Sequence, residues 1–488
     1  MDVNPLASDE EKTKTEIEAW QSLVHVCRRW RNLVFGSQRR LNLRLFCTPE
    51  TPAKDTLGVW PALPLIVAGD VALSSGMDNI IAALGQSDRV CQVILDFAAG
   101  WQLEEVLVLM QVPFPELTRI QLWSRSHDGI PLVRVIPNSF LDGSAPRLQF
   151  ITLHGIPFPG LPNLLLSANH LVDLWLSDIP ESGYISPEAM VALLSVLSSL
   201  DTLALRFRFP QSRPDRESRS LPPPKRSTLP ALHLLIFSGV VEYLAELVTR
   251  IDTPQLHQMY ISFFNQIDFD CSRLAQFIGR TPTLRTLDEA HLQFDDSTAS
   301  VKLRSWVSQS NLVDLLIYIS CSEPDWQLSS IEQVCSSSSH PLSTVEDLYI
   351  EHQYSQLVWK NDAIENTLWL ELFLPFTAVK NLYLSKQFAP GIAAALQELV
   401  DGRITEVFPS LQNIFVERLE PLGPFQENIG QFVTARQLSG HPVAISVRNS
   451  LSGTRKRRNK GKMKSLLASI GREADIVVCA RRNCGRNW

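Results

Sequence analysis

A short pattern of apolar residues recurs along most of this 488-residue chain. It consists of an apolar residue, two others, a second apolar residue, one other and a third apolar residue. The nine clearest copies are Leu117-xx-Ile120-x-Leu122, Leu148-xx-Ile151-x-Leu153, Leu171-xx-Leu174-x-Leu176, Leu200-xx-Leu203-x-Leu205, Leu256-xx-Met259-x-Ile261, Leu312-xx-Leu315-x-Ile317, Val345-xx-Leu348-x-Ile350, Val379-xx-Leu382-x-Leu384 and Leu411-xx-Ile414-x-Val416. Weaker copies begin at Val90, Leu232 and Leu284, and successive copies are 23 to 34 residues apart.

Self-similarity at such an interval is typical of a solenoid in which each unit contributes one strand and one return segment. We therefore predict an α/β fold, a leucine-rich-repeat solenoid of about twelve strands over residues 87–447. Its strands are expected to form a parallel concave sheet, with helices and loops on the convex side. The match is poorest near Leu287, which is followed by Asp288-Glu289-Ala290.

Composition and charge limit the function classes. The chain is 45% hydrophobic and 20% charged, as expected of a large folded protein, and its net charge of −6 makes nucleic-acid binding unlikely as a global property. The N-terminus lacks an apolar signal core, and the most apolar run, residues 60–73, is too short to cross a bilayer. The prediction is an intracellular protein, cytoplasmic and/or nuclear, without a membrane partner.

No local motif predicts catalysis. The sequence has no glycine-rich phosphate loop, no Gly-x-Ser-x-Gly and no His-Glu-x-x-His, and its eight cysteines are scattered without a CxxC pair. We predict a non-enzyme without catalytic residues, metal ligands or cofactors. A site assembled from distant units would leave no local motif, so catalysis stays open at this point.

Several segments interrupt or flank the repeats. Residues 1–18 are charged and predicted to be disordered, 19–48 are helical and 49–86 form a transition. A Pro/Arg/Ser-rich insertion at 209–230 is predicted to be disordered, and 425–447 to cap the solenoid. Residues 448–488 form a basic tail, in which 454–464 carry seven basic residues and no acidic ones. A disordered tail and a nuclear import signal both fit this run.

The helical segment has one apolar stripe. Its members recur near a period of 3.6 residues and are Trp20, Leu23, Val24, Cys27, Trp30, Leu33 and Val34. Arg28, Arg29 and Arg31 lie beside the stripe or on its edge, and Gly36 is expected to end the helix. A stripe of this kind more often packs inside a protein than binds a partner.

Residues 20–41 resemble the second half of an F-box, especially the Val-Cys-Arg-Arg-Trp-Arg core at 26–31. Together with Thr48-Pro49 and the run from 59 to 64, the chain is similar to the F-box and leucine-repeat proteins of mushroom-forming fungi. Residues 1–18 show no counterpart of the first F-box helix. The resemblance implies the substrate receptor of an SCF-type ubiquitin ligase, contacting a Skp-type adaptor and, through it, a cullin scaffold. The adaptor surface would comprise Trp20, Leu23, Val24, Cys27, Trp30 and Arg31. The competing prediction is a binding scaffold without a ligase.

The residues between the last two framework positions are predicted to point away from the core. Five of them are aromatic: Trp175, Tyr260, Tyr349, Tyr383 and Phe415. Since adjacent strands lie about 4.8 Å apart, the last three should form a continuous ladder. With Glu351 beside them, these aromatics are predicted to bind an unknown protein target. The alternative is that they only stack on one another.

Overall fold

The computed structural model describes residues 25–36, 43–71, 76–124, 135–208, 226–264, 271–285, 287–306, 312–321, 323–337, 342–352, 365–400, 402–417 and 423–448. These residues form an α/β protein with 16 strands in one large, mostly parallel sheet. The predicted adaptor residues Trp20, Leu23 and Val24 lie outside the described residues. So do the segment 1–18, most of the 209–230 insertion, and the tail beyond residue 448.

The strands are β1 (Leu45–Cys47), β2 (Leu65–Asp70), β3 (Val90–Phe97), β4 (Arg119–Ser124), β5 (Phe150–His154), β6 (Asp173–Ile179), β7 (Thr202–Phe207), β8 (Ser227–Thr228), β9 (Leu234–Gly239), β10 (Ile251–Asp252), β11 (Gln258–Phe263), β12 (Glu289–Phe294), β13 (Thr298–Trp306), β14 (Leu312–Ser320), β15 (Asp347–His352), β16 (Asn381–Leu384), β17 (Asn413–Glu417) and β18 (Ala444–Arg448). Strands β8 and β10 pair separately as a small two-stranded sheet.

The twelve α-helices of the described residues are α1 (Arg28–Gly36), α2 (Ala53–Val59), α3 (Met77–Leu84), α4 (Gly100–Leu109), α5 (Leu161–Leu165), α6 (Pro187–Leu194), α7 (Val241–Thr249), α8 (Ser272–Arg280), α9 (Pro324–Ser337), α10 (Asn366–Phe373), α11 (Ala389–Gln397) and α12 (Gly423–Leu438). Short 3-10 turns occupy Phe140–Gly143, Glu181–Gly183 and Pro282–Leu284. Most strands are thus followed by a helical return segment, as the repeat predicts.

The repeated pattern sets the register of the sheet. Ile120 of β4 pairs with Ile151 of β5, and Ile151 pairs with Leu174 of β6. The third framework residue of each copy aligns in the same way, so the apolar residues form continuous rows that the helices cover. Those rows belong to one core that extends from Val34 to Val443. The register and this continuous core establish a leucine-rich-repeat type of solenoid.

One insertion breaks the parallel order. Strands β1 to β7, β9 and β11 follow one another, but the next neighbour of β11 is β14, followed by β13, β12 and β15. Strand β13 is antiparallel to both of its neighbours, whereas β12 and β14 keep the direction of the other strands. After β11 the chain therefore crosses to β12, two strand positions further along the sheet. It then reverses direction twice, and β13 and β14 occupy the two positions between β12 and β11. This happens where the repeat matches the sequence pattern worst.

The structure differs from the predicted boundaries in four places. The sheet has 16 strands instead of about twelve and begins at Leu45, inside the segment predicted to be F-box-like, because β1 and β2 pair in register ahead of β3. The end of the predicted insertion is ordered, since β8 pairs with β10 and Leu229 is buried. The four consecutive serines in residues 335–340 predict a surface loop, but α9 extends to Ser337 and Cys335 is buried. Residues 425–447 are predicted to cap the solenoid, but Ile445 and Val447 of β18, which pair with core residues of β17, are exposed.

Candidate partner-binding face

Alternate residues of each strand lie on the side of the sheet opposite the helices, which we call the outer face. Because the strands pair in register, these residues form rows across the sheet. The central row contains the residue between the last two framework positions of each unit. In spatial order it reads Gln121, Thr152, Trp175, Ala204, Ile236, Tyr260, Leu316, Lys302, His291, Tyr349, Tyr383, Phe415 and Ser446.

Aromatic rings stack face to face in the second half of this row. The ring centroids of Tyr349 and Tyr383 are 4.1 Å apart, and those of Tyr383 and Phe415 are 4.7 Å apart. The stack continues in both directions: the His291 ring lies 4.4 Å from Tyr349 with a 6° interplanar angle, and the Arg448 guanidinium lies 4.0 Å from the Phe415 centroid. We call these five residues the aromatic ladder. It contains the three aromatics that the sequence predicts to stack.

His291 connects the ladder to two carboxylates. Its Nε2 lies 2.5 Å from a carboxylate oxygen of Glu289, and its Nδ1 lies 3.6 Å from Glu351, which also accepts a hydrogen bond from Gln293. Burial alone would lower the pKa of His291, but the two carboxylates outweigh it and raise that pKa. Burial would raise the pKa of Glu351, yet His291 holds it below its ordinary value. The ladder therefore has the Arg448 guanidinium at one end and, at the other, the His291 imidazole between two carboxylates.

A ladder of amide groups runs beside the aromatic one. The Asn413 side chain donates to the Asn381 Oδ1 at 2.8 Å, and the Asn381 side chain donates to the Asp347 carboxylate at 2.7 Å. These bonds join β15, β16 and β17 on the outer face. They hold the neighbouring aromatic residues in a fixed register, because each amide lies two positions before a ladder ring.

Trp175 and Tyr260 belong to a different part of the face. They pack with Ala204, Ile236 and Leu316 in an apolar cluster of strand residues that is separate from the main core. Tyr260 is buried, and burial together with the nearby Asp314 raises its pKa. The five predicted aromatics are therefore two groups. Those near the middle of the sheet serve the packing of the outer face itself.

A buried ionic cluster separates the two groups. The Asp314 carboxylate of β14 lies 3.5 Å from the Lys302 ammonium and 3.5 Å from the Arg304 guanidinium, both on β13. Asp314 and Lys302 are buried. Desolvation lowers the pKa of Lys302, and Asp314 opposes that shift. The inserted strand thus places Lys302, compensated by Asp314, in the central row between Leu316 and His291.

Helix α1 carries the described part of the predicted adaptor surface. Val34 is 3% exposed and joins the core, and the Phe35 ring packs against Trp60 at 6.2 Å between centroids. Trp30 and Leu33 are 47% and 59% exposed, and Val26 just before the helix is 65% exposed. Cys27 and Arg31 are exposed too. The described part of the predicted stripe is split, because Val34 points into the core whereas Cys27, Trp30 and Leu33 point outward.

The sequence prediction missed His291, Arg448 and Lys302. His291 lies in the poorest copy of the repeat, and its position next to Tyr349 depends on the order β12–β15. The sequence prediction places Arg448 in the basic tail that begins at this residue, whereas in the structure it is the last residue of β18. Lys302 belongs to a strand without a copy of the pattern. The sequence does indicate a turn before this strand. Asp295-Asp296-Ser297, residue types common in turns, lie between two stretches in which apolar and polar residues alternate.

Other kinds of site find no support in the described part of the chain. Its histidine, cysteine and acidic side chains form no group of three or more placed to hold a metal ion. Of its six free cysteines, all but Cys27 are buried. Its helices include none that is long and apolar enough to span a membrane.

Comparison with known proteins gives a limited result. No protein-family model matches the sequence, and no curated protein matches it. Among solved structures, the chain is similar to the leucine-rich repeat-containing protein LegL7 from Legionella pneumophila. The identity is 13% over 82% of this chain and 99% of that chain, with a TM-score of 0.26. At this TM-score the two backbones do not superpose closely, and the repeat architecture rests on the register of this chain's own strands.

Proposed function

We propose that this protein is a non-enzymatic recognition module that binds a protein target on the outer face through the aromatic ladder. The observation that carries the proposal is the continuous stack from His291 to Arg448 on strands whose register is fixed by the solenoid. Solenoids use extended sheet faces to hold partners, and aromatic and arginine side chains are the commonest binding anchors. The flanking Glu351 and Asp347 supply polar contacts around these anchors.

The test is partner capture with matched variants of the full chain. Tyr349→Asp with Phe415→Asp should weaken capture of the proteins enriched by the unaltered chain by about 30-fold or more, the size expected for lost anchor residues. Trp326→Asp is the control, since Trp326 is 50% exposed on α9, away from the outer face. Thermal unfolding checks that all variants stay folded. Equal capture by the folded ladder variant and the control would rule out the ladder as the binding surface.

A finer proposal is that the module is the substrate receptor of an SCF-type ubiquitin ligase. It is supported by the F-box resemblance of residues 20–41 and by the exposed apolar side chains of Val26, Trp30 and Leu33. Exposed apolar groups at this helical spacing suit a helix-binding adaptor groove. The competing proposal is a leucine-rich-repeat scaffold that engages no ligase.

Binding to a purified Skp-type adaptor separates these two proposals. The receptor proposal expects a complex with the full chain that Trp30→Asp and Leu33→Asp each abolish. Val59→Asp is the control, because Val59 is an apolar residue on helix α2 that is even more exposed, at 78%. A full chain that retains no adaptor would eliminate the receptor proposal and leave the scaffold. Target capture by the outer face is a separate property, and the absence of adaptor binding would not change it.

A further inference from the structure

The His291 end of the aromatic ladder is held by two carboxylates of unequal exposure. The His291 Nε2 lies 2.5 Å from Glu289 on the same strand, β12, and its Nδ1 lies 3.6 Å from Glu351 on β15. We call these three residues the histidine bridge. The Glu289 side chain is 8% exposed, whereas the Glu351 side chain is 22% exposed. Glu351 thus has an access to water that Glu289 lacks.

Other charged or titratable side chains surround the histidine bridge on the neighbouring strands. They are Lys302 and Arg304 of β13, Asp314 of β14, and Asp347 and Tyr349 of β15. The two cations of β13 each lie 3.5 Å from the carboxylate of β14. The Asp347 carboxylate accepts a hydrogen bond from the Asn381 amide, and burial raises the pKa of Tyr349, which stays neutral. His291 is therefore the member of this set that titrates near neutral pH.

The proton on His291 decides how the histidine bridge is bonded. An imidazolium has two N–H donors, one for each carboxylate. A neutral imidazole has one donor and one acceptor, and the closer carboxylate, that of Glu289, keeps the donor. The Nδ1 lone pair then faces the Glu351 carboxylate, and two acceptors repel each other. Burial lowers the pKa of His291, but the two carboxylates raise it above its ordinary value of 6.5, so the change takes place above that pH.

We propose that His291 is a proton switch for the aromatic ladder. With the proton bound, His291 joins β12 to β15 across the outer face and holds the Tyr349 ring between itself and Tyr383, at centroid distances of 4.4 and 4.1 Å. Without the proton, Glu351 turns toward water and the stack loses its support at this end. The ladder then binds its target more weakly. This inference rests on the proposed function, because it concerns the regulation of the same surface.

The ring-flip rate of Tyr349 tests the switch without any target. A ring held between two stacked neighbours can flip only when one of them moves away. In full-length protein with isotope-labelled tyrosine, NMR line shapes should show faster flips of Tyr349 at about pH 9 than at about pH 6. Glu351→Gln should keep the flips slow at both values, because its amide can donate to the neutral Nδ1 and preserve the bridge.

His352→Gln is the matched control. His352 is the residue after Glu351 and lies on the opposite side of β15, so this variant should keep the pH dependence of the unaltered protein. Flip rates of Tyr349 that do not change with pH in the unaltered protein would overturn the switch. Flip rates that rise equally in Glu351→Gln would overturn it as well.

Target capture at the same two pH values extends the test to binding. The affinity of the unaltered chain for the proteins it enriches should fall by about 10-fold from the lower to the higher pH, a coupling typical of two linked sites. Glu351→Gln should lose this fall and His352→Gln should keep it. An equal fall in all three proteins would show that the switch does not govern binding. Capture that is unaffected by Tyr349→Asp with Phe415→Asp would instead reject the proposed function, while the flip rates still decide whether the switch exists.

Discussion

At the residue scale, His291 is the group most sensitive to its surroundings. It stacks on Tyr349 and contacts the carboxylates of Glu289 and Glu351. Its raised pKa means that the folded protein binds the proton more tightly than the unfolded chain does. The stabilisation is complete below the ordinary pKa of 6.5 and is lost as the pH rises through the higher pKa of the folded state.

The first prediction concerns His291→Gln. Its loss of unfolding free energy relative to the unaltered protein should be larger near about pH 6 than near about pH 9. His352→Gln is the matched control with the opposite sign, because burial lowers the pKa of His352 and its protonation opposes folding. Urea unfolding of both variants at the two pH values measures this. The same pH dependence of the unfolding free energy in both variants would contradict the prediction.

The second prediction concerns the ionic cluster on β13 and β14. Asp314→Leu leaves Lys302 buried without its carboxylate, and loss of one partner from a buried pair costs about 3–5 kcal/mol. Adding Lys302→Met should restore part of that loss, because the buried charge is then removed. Denaturant unfolding of the single and double variants measures both values. If the loss of unfolding free energy in the double variant equals the sum of the losses in the two single variants, the two charges do not stabilise each other.

At the scale of elements, the regular units could be predicted and the insertion could not. The pattern places Leu315 and Ile317 correctly in register with Met259 and Ile261. It does not show that β12 lies on the far side of β13, because framework spacing fixes which residues face the core but not which strand is the neighbour. A three-residue turn forces β13 to run antiparallel to β12, and this local geometry overrides the order implied by the repeat.

The same limit applies to helix α1. The period of 3.6 residues correctly indicates a helix that ends at Gly36. It does not show which side of a broad apolar stripe packs inward. Val34 is buried and Trp30 is exposed because Phe35 and His25 contact the Trp60 ring. Residues from the following units, absent from the local pattern, decide the orientation.

The third prediction concerns the turn between β12 and β13. The Asp295 carboxylate accepts hydrogen bonds from the backbone amides of Ser297 and Thr298 and from the Thr298 hydroxyl, at 2.8, 2.7 and 2.7 Å. Asp295→Ala should lower the unfolding free energy by about 1–3 kcal/mol, since these donors lose their acceptor. Asp296→Ala, at the exposed neighbouring position, should change it by less than about 0.5 kcal/mol. Equal effects in thermal unfolding would show that the carboxylate does not hold the turn.

At the scale of the whole molecule, the units contact mainly their neighbours in sequence, so stability is a local property. Arg436 of α12 shows how the final units are joined. It is fully buried and donates from Nη1 to the Ile404 carbonyl at 3.2 Å and from Nη2 to the Leu411 carbonyl at 3.2 Å. Longer bonds from Nη2 reach Phe408 and Pro409. One side chain therefore ties α12 to the segment leading into β17.

The fourth prediction follows from this arrangement. Arg436→Met removes these donors and leaves buried carbonyls without partners, at a cost of about 2–5 kcal/mol to the local unit. Amide exchange should rise in β16 to β18 and α12 but stay unchanged in β4 to β7, because no contact carries the defect that far. Arg403→Met, which breaks an exposed pair with Glu406, should change neither region. Faster exchange in every strand of Arg436→Met would mean that the solenoid unfolds as one cooperative body.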